Sequence, residues 1–87
     1  MKIVKGIVVK AIAGRDKGGY FVVKDYADNA SYAMIADGKR RKLESPKKKN
    51  LRHLMFTGTV IDINDITDRK LKVALRKFYD SVDESEV

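Results

Sequence analysis

The chain has 87 residues, a net charge of +7 and no cysteine. A chain this short buries only about 60–65% of the surface it exposes when unfolded, so one modest core is expected and no deep substrate cavity. Without cysteine there is neither a disulfide framework nor a thiolate zinc site, which suits a reducing cytoplasm.

Near the N-terminus, MKIVKGIVVKAIAG has a basic start, but the apolar run Ile7 to Val9 stops at Lys10, so no export is expected. Nothing elsewhere approaches the ~20 apolar residues of a membrane span, and a soluble protein without membrane partners follows. Residues 3–12 and 20–25 are rich in β-branched and aromatic side chains and predict two strands joined by a turn over Gly14 to Gly19. Asp37-Gly38 then lies between two short extended runs. That dipeptide favours a hairpin and predicts strands near 31–36 and 39–44, the second closed by Pro46. Leu51 to Gly58 reads as a fifth strand. Five short strands with tight turns predict a small barrel, because closure removes unpaired edges.

Beyond Thr59 the apolar period changes. Leu71, Ala74, Leu75, Phe78 and Val82 fall at helical spacing, with Arg69, Lys72, Arg76 and Lys77 opposite, so residues 67–80 predict an amphipathic helix. Asn64, Asp65 or Thr67 suits its cap and Asp68 its first turn. We expect it to pack on the barrel as a stabilising element, with SVDESEV as a frayed acidic tail. The division expected is residues 1–58 for the barrel and 59–87 for a helical extension.

The excess charge is localised. From Gly38 to His53 there are eight cations (Lys39, Arg40, Arg41, Lys42, Lys47, Lys48, Lys49 and Arg52) against the one anion Glu44, while the rest of the chain balances. A basic segment on a neutral body is the footprint of a polyanion binder. Clustered Lys and Arg release the counterions condensed on a phosphate backbone, giving salt-sensitive, sequence-tolerant binding. Arg40, Arg41 and Lys42 are expected to alternate along a strand, and Lys47, Lys48 and Lys49 to act as point charges on a mobile loop.

In AGRDKGGYFVV, Gly14, Gly18 and Gly19 permit a tight path on which a phosphate approaches main-chain N–H groups. Arg15 and Lys17 add charge on either side, and Asp16 is expected to fix the loop through its own backbone. Tyr20, Tyr26 and Tyr32 are candidates for base stacking, though core or edge filling suits them better in so small a protein. His53 is the only histidine, so no metal site is expected. No Ser-His-Asp or paired-carboxylate spacing supports catalysis, and neither an enzyme nor a cofactor is expected.

Two of these stretches carry a resemblance. GIVVKAIAGRDKGGYFVV, Gly6 to Val23, resembles the KOW motif, a strand, a loop of the form A-G-[KR]-D-K-G and a second strand. MIADGKRRKLESPKKKNLRHL, Met34 to Leu54, follows in the order found in bacterial RNA-binding KOW proteins related to the archaeal and eukaryotic large-subunit ribosomal protein family fourteen. The resemblance covers about residues 3–57. It implies a mainly β, SH3-like five-stranded barrel that binds ribosomal RNA and is cytoplasmic and ribosome-associated. The physical reading of the same stretches expects contact by Gly14, Arg15, Lys17 and Gly18 in the loop and by Lys39, Arg40, Arg41, Lys42, Lys47, Lys48, Lys49, Arg52 and His53 in the arm, with ribosomal proteins as possible neighbours and a monomer when free. His53 matches the family's HL ending, with RNA contact and barrel packing both open. A KOW module of the transcription-elongation kind, contacting RNA polymerase and nascent RNA, is the alternative. Such factors carry a further N-terminal domain, whereas this sequence opens on the KOW strand. A peptide-binding barrel is the third reading, and it lacks a tryptophan to line its groove.

Overall fold

The structure is a computed structural model that describes residues 4–84, the last four by backbone alone. The strands are β1 (Ile7–Ala11), β2 (Tyr20–Ala27), β3 (Tyr32–Ala36), β4 (Lys47–Asn50) and β5 (Leu54–Val60), followed by the helix α1 (Asp68–Glu84). They form one antiparallel sheet in the order β4-β3-β2-β1-β5. The two edges, β4 and β5, do not pair with each other, so the fold is a mainly β open sheet with a C-terminal helix.

Both faces of the central strands are buried, which is why they read as continuous apolar runs without a clean alternation. Consecutive residues point to opposite faces, and Val8 and Val9 are both fully buried. Val9, Ala11, Phe21, Val23, Ala33, Ile35 and Leu54 make the core of one face. Val8, Val22 and Ala36 pack on the other against Leu71 and Leu75 of α1, flanked by Tyr20, Leu43 and Phe78. The expected apolar stripe of the helix therefore supplies half of a second core. Among the described residues no helix is long and apolar enough to cross a membrane.

Irregularities bend the sheet. The β2–β3 register shifts between Val23 and Asp25, and the β1–β5 register shifts between Ile7 and Val9. Extra residues of this kind raise local twist and curl a strand. At the first, Lys24 reaches across to donate to the Leu43 carbonyl at 2.6 Å.

Three expected elements change. Residues 39–44 are not a strand, because the Asp37 carboxylate closes a local loop by accepting from the Lys39 and Arg41 amides, both at 2.9 Å, while the Asp37 and Gly38 amides donate to the Arg41 carbonyl. An aspartate that hydrogen-bonds the backbone just ahead of it competes with ladder formation. Gly38, at φ +79°, also lies against the Asp68 backbone, where a Cβ would collide with the carbonyl. The fourth strand is instead Lys47–Asn50, paired with β3 from Tyr32↔Asn50 to Ile35↔Lys47, so these lysines lie on an edge strand and not on a mobile loop. Leu51–His53 form a 3₁₀ turn capped by Asn50, and β5 begins only at Leu54. The first strand starts at Ile7, and residue 3 lies outside the described residues. Thr67 caps α1, its hydroxyl accepting from the Lys70 amide at 3.1 Å. The helix runs on through Ser81–Glu84, part of the expected acidic tail, and the rest of that tail lies outside the described residues.

Candidate nucleic-acid interface

The loop between β1 and β2 is held by its own main chain. The Lys17 amide donates to the Gly14 carbonyl, the Gly18 amide to Ala11, the Gly19 amide to Asp16 and the Ala11 amide to Gly19, at 2.7–3.2 Å. The amides of Lys17, Gly18 and Gly19 are thus spent inside the turn and are not open to the expected approach of a phosphate.

Asp16 ties the loop to the arm. Its side chain is 2% exposed and takes a fork from Arg41, with Nε and one terminal nitrogen at 3.3 and 3.1 Å. The Lys49 ammonium, 8% exposed, lies 3.7 Å from the same carboxylate. Burial pushes the carboxyl up, but the Arg41 hydrogen bonds and the charges of Arg41, Lys49 and Arg40 outweigh it, and the group is held below its ordinary value. The loop-shaping role expected for Asp16 is replaced by this longer-range one. Gly14 serves it too, since at φ +84° a Cβ would stand 2.7 Å from the Lys49 ammonium. The glycine leaves the passage through which Lys49 reaches Asp16.

The arm is anchored at two further points. The Asp68 carboxylate accepts from the Leu43 amide at 2.7 Å, joining the arm to the first turn of α1, and Lys24 holds the Leu43 carbonyl. Loop, arm, sheet and helix meet around residues 37–43.

With the arm held this way, Arg15, Lys17, Lys39 and Arg40 line one half-open recess of about 200 Å³, together with Asp16, Gly19, Phe21, Asp37 and Tyr79. Among the described residues these four cations form no salt bridge. A second recess of about 230 Å³ adjoins it, lined by Tyr20, Asp37, Lys39, Lys72, Leu75, Arg76 and Tyr79. Asp37, Lys39 and Tyr79 are common to both. Asp37 adds negative charge, and its Oδ1 is already engaged in shaping the arm.

The other expected contact residues disperse. Lys48 pairs with Asp28 at 2.6 Å, which holds its ammonium pKa up, and lies 4.8 Å from the Tyr32 ring centre. Lys42 and Lys47 are exposed. Arg52 lines a separate hollow with Ser31, Tyr32, Asn50 and Leu51, and exposed His53 contributes its carbonyl to the Ile12 amide. Gly18 has open space where a Cβ would stand. Of the thirteen residues expected to touch RNA, Arg15, Lys17, Lys39 and Arg40 share a recess, and Gly14, Arg41 and Lys49 support it.

Tyr26 packs on the first core and donates its hydroxyl to the Val4 carbonyl at 2.8 Å, and burial raises its pKa. Tyr20 packs at the second core, its ring 5.4 Å from Phe78. Lys72, Arg76 and Tyr79 were not expected at the site. Their signal is the spacing i, i+4, i+7, which sets all three on one helical face, but only the docked helix shows that this face borders the arm.

Scanned against models of known families the sequence matches none, and a search of curated proteins returns no match.

Proposed function

We propose that the protein binds RNA through the recess formed by Arg15, Lys17, Lys39 and Arg40, as a ribosome-associated component whose open, bulged sheet is a KOW-type variant of the SH3-like fold. The observation that carries the reading is the grouping of four cations that form no salt bridge among the described residues, on a scaffold that spends a buried carboxylate, Asp16, on positioning. Both arginines can fork onto phosphate or stack on a base, and the lysines supply point charge. Phosphate contacts of this kind give affinity that falls with salt and tolerates sequence. Structured ribosomal RNA is the partner that the order of the loop and arm motifs favours. The alternative of RNA polymerase and nascent RNA uses the same cations and differs in where the protein travels.

Sedimentation of a cell extract through a sucrose gradient at moderate salt tests this. The protein is expected with ribosomal particles, released by ribonuclease or by high salt. A protein that stays at the top of the gradient at low salt would contradict the ribosomal reading.

A further inference from the structure

We infer that Tyr79, on the wall shared by the two recesses, is a stacking platform for one unpaired base, with Lys72 and Arg76 holding a phosphate on its far side. This rests on the RNA-binding reading and assigns α1 a part in recognition beyond its packing role. Tyr79 is 46% exposed, and its hydroxyl oxygen accepts from the Tyr20 amide at 2.8 Å. Its ring meets the Tyr20 ring edge-on, with centroids 5.1 Å apart and planes at 87°. The hydrogen bond and the edge-on contact hold the ring in a set orientation, and the residue's exposure leaves ring surface open to a ligand. An aromatic ring held before binding loses little freedom when a base stacks on it.

The charges complete the site. Arg15, Lys17 and Arg40 lie in one recess, Lys72 and Arg76 in the other, and Lys39 in both. Cations in both recesses that the ring borders suit a nucleotide whose base lies on the ring and whose flanking phosphates run both ways. Paired bases are already stacked and cannot take that position, so single-stranded or looped RNA is favoured over duplex.

The chain contains no tryptophan, so Tyr79→Trp places at the site the one tryptophan of the chain, which can be excited apart from the tyrosines. The probes are a mixed-sequence single-stranded RNA of about ten nucleotides, within the usual span of small single-strand binders, and a duplex of the same composition. Stacking predicts quenching of the Tyr79→Trp emission by the single strand and little by the duplex. Tyr79→Leu should weaken single-strand binding by roughly tenfold and duplex binding far less, while Tyr79→Phe, which keeps the ring, should bind nearly as the parent does. Lys72→Gln with Arg76→Gln should flatten the plot of log affinity against log salt by about 0.7, the loss of one phosphate contact to a single strand. Tyr79→Leu, Tyr79→Phe and Tyr79→Trp all remove the bond to Tyr20, so Tyr79→Phe is the control for that loss, and the reporter, where it melts as Tyr79→Phe does, decides if Tyr79→Leu melts early. Unquenched emission at saturating RNA, or an unchanged salt slope in the double variant, overturns the platform even where Arg15→Gln with Arg40→Gln weakens binding. If the unaltered protein binds neither probe, the RNA reading itself fails, and this inference with it.

Discussion

Protonating Asp16 leaves Arg41 and Lys49 facing each other across a site with little access to water. The folded-state pKa lies below the ordinary 3.8, so the unfolded chain takes up the proton first as pH falls. The stabilisation is therefore fully present above the unfolded value and is lost as pH drops through the lower folded one. Thermal melts between pH 7 and pH 2 should show this loss on the acid side, and Asp16→Asn should flatten that limb. Removing the carboxylate with Asp16→Ala should cost about 3 kcal/mol at neutral pH, the scale set by breaking a buried ion pair on one side, as read by denaturant melts. Gly14→Val should be destabilising as well, since it adds a branched side chain at positive φ in the path of Lys49. A different residue offers the opposite change. Asp28, Asn29 and Ala30 turn the β2–β3 hairpin at φ 52°, 58° and 65°, and Ala30 is the one with no polar side chain to compensate. Ala30→Gly should raise stability by about 0.5–1 kcal/mol, and an unchanged or lower melting temperature would contradict that.

At the scale of elements, β1, β2, β3 and α1 were legible because their apolar patterns are set by burial within a few residues. The arm was not. Asp37-Gly38 carries the local signature of a two-residue turn, but the Asp37 carboxylate bonds forward to Lys39 and Arg41 and makes a closed loop, delaying the strand to Lys47. Consecutive lysines have weak strand propensity, and what holds them is pairing with β3, a contact that no local window contains. The cationic segment was visible as composition, whereas its division into supporting Arg41 and Lys49 and recess-lining Lys39 and Arg40 depends on Asp16, which is distant in sequence. The helix shows the same limit, its buried stripe readable and its neighbours not. Leu71 is fully buried between α1 and the sheet, and Leu71→Ala should cost about 2–5 kcal/mol in a denaturant melt. A loss under 1 kcal/mol would mean that the helix is not held on the sheet as described.

The whole molecule has a core on each face of one sheet, and its anchored arm crosses from the β1–β2 loop to the start of the helix. Its edge at β4 carries exposed Lys47 and Lys48, charges that discourage strand addition there. Arg41 and Lys49 build the surface, whereas Arg15, Lys17, Lys39 and Arg40 are the cations proposed to meet the ligand, and a salt titration distinguishes the two kinds. RNA affinity measured by fluorescence anisotropy across a range of salt concentrations, for the unaltered protein and for Arg15→Gln with Arg40→Gln, is the most direct test. The account predicts an unchanged melting temperature in the double variant, weaker binding, and a plot of log affinity against log salt flatter by about 1.4 to 1.8, the loss of two phosphate contacts to single-stranded or duplex RNA. A double variant that melts normally and binds RNA with the same affinity and the same salt slope would contradict it.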